Sequence, residues 1–179
     1  MEFGLEIEQF GVHCDSGGAG RYRGGCGIIR DVRVLLDHMT LGIRIDNCRY
    51  PAFGANGGLS GMPGKVIINP GCDSERESRP LSDGTIVHKG DLIRIVTPGG
   101  GGWGCPFDRP PNDVLDDFLD GYISSKNAEQ QYGVVFAVDQ TKVNWDDTEK
   151  LRASRTRPAE MFHRGQYYDA ETDRVDAVK

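Results

Sequence analysis

The 179-residue sequence predicts an α+β fold: a β-rich, sandwich- or barrel-like N-terminal segment, then two or three short helices and a polar C-terminal arm. Three observations carry this expectation. Apolar and polar residues alternate at period two in short runs before residue 98, and the spacing becomes helical after Pro106. Glycine is concentrated in the same first part, with 21 of 25 glycines lying from Gly11 to Gly104 and three in the last 75 residues. Short strands broken by glycine turns, at intervals of roughly ten residues, are what a sandwich or compact barrel produces. Residues 1–152 are expected to form the domain and 153–179 a docking arm that orders against a partner.

Leu5, Ile7, Phe10 and Val12 alternate loosely over residues 4–12, as in a half-buried strand. Residues 28–36 read as a second strand with one wet face, and 41–45 and 65–69 as two more, while the polar, aperiodic 70–80 reads as a surface loop. Residues 84–88 and 91–97 read as paired strands across the turn from His88 to Asp91. Asn112 is placed to cap a helix with Val114, Leu115, Phe118 and Leu119 inside, Asp113, Asp116, Asp117 and Asp120 outside, and Gly121 as its stop. A second helix runs from near Ser125 to Gly133, followed by an apolar strand at 134–138. The DDTE run at 146–149 resembles the capping box of a third helix.

The net charge of −6 divides into 11 bases and 12 acids over residues 1–105 and 10 and 15 over 106–179, which argues against general nucleic-acid binding. No apolar run approaches the roughly 18 residues of a membrane helix, and the acidic N-terminal stretch lacks the features of a signal peptide. Five cysteines, an odd number, suggest reduced thiols and a cytoplasmic location. They stand 12, 22, 24 and 33 residues apart, with no CxxC pair. A structural zinc site would therefore need tertiary assembly, with Cys14, Cys26, Cys105 and His13 as candidate ligands; small packed thiols are the simpler reading.

The loop at 17–25 is the most suggestive chemical element. Its glycines can present successive N–H groups, and Arg21 and Arg23, beside Gly24 and Gly25, add forked donors suited to an anion. It is not a Walker loop, because no GK[ST] follows and the next element is a strand. The competing reading makes the arginines braces paired with local acids. In the second glycine run, 97–106, Trp103 offers an aromatic wall for a ligand or another chain. Catalytic sets are poor. The four histidines have no metal-binding spacing, no GxSxG elbow occurs, and the carboxylate pairs 116/117 and 146/147 sit on expected wet helix faces. Alone, the chain does not read as a complete enzyme.

Taken together, DSGGAGRYRGGCGIIR at 15–30, FGANGG at 53–58 with MPG at 62–64, RIVTPGGGGWGCP at 94–106, and VLDDFLDGYIS at 114–124 with YGVV at 132–135 resemble, in order, the C-terminal part of the hydantoinase B family. That family includes subunits of 5-oxoprolinase, N-methylhydantoinase and the biotin-independent ketone carboxylases. The resemblance implies a split subunit that completes larger hydantoinase A-like and hydantoinase B-like partners, with ATP and Mg or Mn held on those partners and no biotin. Within the family the divided acetophenone carboxylase type, with its small gamma-type subunit, is the nearest fit. It implies formation of a 3-oxo acid such as benzoylacetate from an aryl ketone and bicarbonate. ATP-dependent hydrolysis of a cyclic amide is the alternative within the family, and an autonomous anion-binding module the alternative outside it.

Overall fold

The computed structural model describes residues 4–159 and 161–165. Seven strands come first: β1 (Leu5–Val12), β2 (Ile28–Val34), β3 (His38–Arg44), β4 (Lys65–Ile68), β5 (Arg76–Ser78), β6 (Leu81–His88) and β7 (Leu92–Val96). Three helices follow a single 3-10 turn at Pro106–Asp108: α1 (Pro111–Leu119), α2 (Ser125–Tyr132) and α3 (Trp145–Ser154). The strands form a five-stranded antiparallel sheet in the order β1-β2-β7-β4-β5 and a two-stranded sheet of β3 and β6. Val34, Val66, Ile68 and Ile93 of the first sheet share one core with Ile43 and Val87 of the second, so the architecture is a sandwich rather than a barrel. Burying each such side chain contributes on the order of 1.5–3 kcal/mol. On the opposite face of the larger sheet, Arg94 donates to both oxygens of the buried Asp31, at 2.8 and 2.6 Å.

Two expectations about the strands are corrected. β6 and β7 are joined by the expected turn, with the Asp91 N–H on the His88 carbonyl at 2.9 Å, but they do not pair. β6 pairs with β3, and β7 lies between β2 and β4. β7 buries Ile93 at one face and Val96 at the other, which suits a central strand, and period-two patterning does not specify the neighbour. The segment expected to be a surface loop contains β5, a three-residue polar edge strand with no alternation to betray it.

The glycine runs are not surface loops. Segments 15–20, 24–27, 53–55 and 58–62 surround Gly99–Gly102 as a layer of extended backbone. Gly99 N–H donates to Met62, Gly100 to Gly25 and Gly102 to Leu59, while the Gly100 and Gly102 carbonyls accept from Gly18 and Ala55. A Cβ on Gly99 would collide with the Ser16 carbonyl, one on Gly101 with that of Phe53, and one on Gly102 with that of Ala19. None of these three glycines has a positive φ, so glycine is required here for close backbone approach and not for an unusual turn.

The helices pack a second core, in which Val114, Ile123, Ala128, Tyr132, Val134 and Val143 enclose Ala19 of the glycine layer. α1 begins at Pro111 after Pro110, without a side-chain cap, so the expected Asn112 cap is corrected; proline at the first position needs no N–H partner. α2 has the Ser124 hydroxyl accepting from the Asn127 N–H and ends on Gly133 at φ 62°. Residues 134–138 form only an isolated bridge, Phe136 to Val143, instead of a strand. In α3 the cap is Asn144, which accepts from the Asp147 N–H, two residues before the expected start.

Beyond α3 the arm turns back on this chain. Arg157 pairs with Asp108 at 2.6 Å, Phe162 stacks edge-on to Phe53 at 5.1 Å, and His163 exchanges two backbone hydrogen bonds with Gly54. The expected arm beyond Gly165 lies outside the described residues.

The layer predicts a sharp contrast between glycines. Gly101→Ala is expected to cost about 3 kcal/mol or more, because the methyl group meets backbone that cannot rotate away. Gly25→Ala, with nothing within 4 Å of the new Cβ, is expected to change stability by less than about 1 kcal/mol. Urea denaturation of both variants checks this.

Candidate functional site

Around the glycine layer the structure places three features: an ionic lock beneath it, an aromatic rim above it and a polar cleft beside it. The lock centres on Asp117, whose side chain is 9% exposed. Its Oδ2 lies 3.2 Å from Arg23 Nε and 2.7 Å from Arg109 Nη2, close ionic contacts and not aligned hydrogen bonds. Arg23 Nη1 donates to the Gly24 carbonyl at 2.8 Å and to Cys26 Sγ at 3.2 Å, and its guanidinium lies 4.8 Å over the Tyr122 ring. Arg109 donates to the Arg21 carbonyl and Arg152 to the carbonyls of Tyr132 and Arg109, so the lock ties glycine layer to helices. Tyr132 is fully buried with no hydrogen-bond partner for its hydroxyl, and burial pushes the phenol well above its usual range.

This geometry corrects the expectation for Asp117 and decides between the two readings of Arg23. Asp117 is inside, not on a wet helix face, because two guanidiniums compensate its desolvation. The periodic reading of α1 missed it, since an acidic residue at that spacing looks like a solvent position. Arg23 follows the bracing reading: it lies in ionic contact with Asp117, and its Nη1 donates to Gly24 and Cys26. Arg21 differs: it is exposed, with its guanidinium 5.7 Å over the Tyr22 ring. The expected N–H cradle is closed in part. Gly18, Arg21, Tyr22 and Gly24 donate to backbone carbonyls, and Gly27 to the Ser16 hydroxyl. Gly25, though exposed, accepts from Gly100 through its own carbonyl.

Cys14, Cys26, Cys105 and His13 do not assemble as a zinc site. Among the described residues no group of three or more His, Cys, Asp or Glu is placed to hold a metal ion. Cys14 is exposed, Cys26 accepts from Arg23 and donates to the Tyr122 carbonyl, and Cys105 is buried. Burial pushes the Cys14 thiol up and the His13 imidazole down. For ATP and its Mg or Mn, expected on partner subunits, no carboxylate set gathers for the cation among the described residues of this chain. No helix among the described residues is long and apolar enough to cross a membrane.

Trp103, expected as an aromatic wall, is 48% exposed, with its ring 5.7 Å from Tyr22. Its backbone bridges Tyr22 on one side and Ala55 on the other, so the layer fixes where the indole emerges. A cleft of about 550 Å³ opens beside the layer, lined by Asp15, Ser60, Met62, Lys126, Gln130 and His163 among others. The Ser60 N–H donates to His163 Nδ1 at 3.0 Å, which leaves Nε2 as the donor of the neutral imidazole. Asp15, at φ 64°, accepts from the Ser124 N–H at 2.7 Å. Such a wall, with donors from Lys126 and His163 and an acceptor in Asp15, can hold a small polar molecule. Asp15 opens the first family motif without a role to mark it there, and His163 lies in no motif; their contacts join residues about a hundred positions apart.

The lock and the exposed arginine separate experimentally. Arg23→Gln strips one of two cations from a buried carboxylate and is expected to cost about 2–4 kcal/mol. Arg21→Gln is expected to stay within about 0.5 kcal/mol. Thermal and urea melts of the two variants measure the difference; equal losses would contradict the brace.

Comparisons with known proteins fit this architecture. The family described as hydantoinase B/oxoprolinase matches residues 1–106. An uncharacterised protein of Methanocaldococcus jannaschii is 39% identical over 84% of this chain and 27% of its own. Caprolactamase subunit beta of Pseudomonas jessenii is 33% identical over 72% of this chain and 23% of its own. The acetophenone carboxylase delta subunit of Aromatoleum aromaticum is 33% identical over 50% and 13%. Among solved structures, ATP-dependent caprolactamase from Pseudomonas jessenii superposes with a TM-score of 0.71 at 28% identity, covering 85% of this chain and 27% of that one. Nucleotide-free acetone carboxylase shares the fold, with a TM-score of 0.62 at 21% identity over 97% of this chain and 25% of that one. The chain thus spans about a quarter of the length of the M. jannaschii and caprolactamase relatives. With its motifs threaded through one glycine layer and the family match covering residues 1–106, the chain belongs to the hydantoinase B/oxoprolinase family.

Proposed function

We propose that this chain is one part of an ATP-dependent enzyme assembly that opens a cyclic amide. The observation that carries the reading is the higher likeness to ATP-dependent caprolactamase, with a TM-score of 0.71 at 28% identity against 0.62 at 21% for acetone carboxylase. In this reading the glycine layer and the Asp117 lock form a rigid scaffold, and the cleft beside α2 faces the remainder of the assembly. ATP and its divalent cation belong to that remainder, as do the larger partner subunits. The chain alone is inactive, in keeping with its span of about a quarter of its relatives.

A second reading, carboxylation of an aryl ketone in the acetophenone carboxylase manner, is favoured by the delta-subunit match over half of the chain. A free-standing anion-binding module has the least support, because the N–H groups of Gly18, Arg21, Tyr22 and Gly24 in that loop already donate to carbonyls.

Reconstitution tests the proposal. The chain, combined with the larger family subunits from its own genome, is expected to couple ATP hydrolysis to ring opening of caprolactam or a hydantoin without consuming bicarbonate. Fixation of labelled bicarbonate into acetophenone would replace this reading with the second. Full turnover by the isolated chain would overturn both.

A further inference from the structure

One face of the five-stranded sheet is only partly covered. On β1, Leu5 stands opposite Val34, Ile7 opposite Val32, Phe10 opposite Arg30 and Val12 opposite Ile28. Strict alternation would put Phe10 and Ile7 on opposite faces; the irregularity between Ile7 and Gln9 returns Phe10 and Val12 to the face of Leu5 and Ile7. This is the face of the sandwich core, because Val32 neighbours Ile93 and Ile93 neighbours Ile68. Over β7 and β4 the β3–β6 pair covers it, leaving Ile68 0% and Ile93 4% exposed. Over β1 none of the described residues does: Leu5 is 43%, Ile7 62%, Phe10 60% and Val12 46% exposed. Four large apolar side chains side by side on one strand face, each more than 40% exposed, form a contiguous patch of the kind that interaction sites present.

Arg30 adds a charge to this row. Its guanidinium lies 4.9 Å from the Phe10 ring centroid, and its Nε is buried with no hydrogen-bond partner. Arg33 on β2 and Arg94 on β7 are paired to Glu8 and Asp31, whereas Arg30 has no carboxylate partner among the described residues.

The chemistry selects among occupants. Strand addition to the free edge of β1 is opposed by the bulge and by Glu6 and Glu8, devices that keep edges from pairing. Self-association over the row places two Arg30 guanidiniums in one apolar interface without a counter-charge. An apolar surface bearing a carboxylate satisfies both the row and Arg30. The relatives carry about three further quarters of polypeptide beyond what this chain spans.

We propose that the β1 row of Leu5, Ile7, Phe10 and Val12, with Arg30, docks an apolar, carboxylate-bearing face of the portion of the family enzyme that this chain does not span. The proposal concerns assembly and does not depend on whether the reaction is amide opening or carboxylation. It is tested by titrating the chain against the larger family subunits from its own genome, with amide hydrogen exchange over residues 5–12. Expected results are at least tenfold slower exchange over those residues in the complex, a hundredfold or greater loss of affinity for Ile7→Lys, and about tenfold for Arg30→Gln. Leu81→Lys, at a 71% exposed site on the other sheet, leaves affinity unchanged. Circular dichroism melts confirm that each variant folds. Undiminished binding by a folded Ile7→Lys, self-association that this substitution abolishes, or absence of any complex would overturn the proposal. A complex that needs the row yet performs neither reaction would uphold it while removing the proposed function.

Discussion

The segment Gly99–Gly102 has backbone on every side where a side chain would stand. Carbonyls of Ser16, Phe53 and Ala19 occupy the positions of its missing Cβ atoms, and a Cβ on Gly24, Gly58 or Gly61 would in turn collide with this segment's own carbonyls. Four stretches distant in sequence must therefore meet at backbone contact distance before the layer exists. The chain obtains from hydrogen bonds and close packing here what it obtains elsewhere from apolar side chains. The sandwich core and the helical core lie on either side, and Ala19 joins the second of these directly.

The positions of the functional candidates follow from this constraint. Because Trp103 hydrogen-bonds Tyr22 through both its N–H and its carbonyl, the two aromatic rings are delivered to the rim together. Because Gly54 pairs with His163, the arm is drawn over the layer and the imidazole enters the cleft wall. Asp117 secures the other side, holding Arg23 from the layer and Arg109 from the segment before α1. A lone buried carboxylate would be costly; between two guanidiniums it joins the layer to α1, and Tyr132 closes the space beside it without a hydrogen-bond partner.

Much of this was legible in the residues. Period two located β1 and β2, a continuous apolar run located β4, helical spacing located α1, and Ser124 and Gly133 bracket α2 as capping chemistry requires. Glycine content pointed to the right segments but to the wrong physics. A run such as GGGG has the same appearance whether it lines an open anion loop or packs against carbonyls, and only the partners of its N–H groups distinguish them. Strand neighbours were hidden for a similar reason: alternation in β7 reports burial, not which strand lies beside it. Asp117 and His163 were misjudged because their partners, Arg23 and Ser60, lie about a hundred residues away. The exposed apolar row on β1 reads as half-buried from sequence, since alternation shows that a face wants cover without showing what supplies it.

The glycine layer is a closed backbone core and not an open binding loop. Amide hydrogen exchange of the isolated chain, resolved by residue, measures this directly. The N–H groups of Gly18, Gly99, Gly100 and Gly102 are expected to exchange as slowly as those of β7 at the centre of the sheet. Exchange at the rate of exposed turns, or slowing only on addition of phosphate, would contradict it.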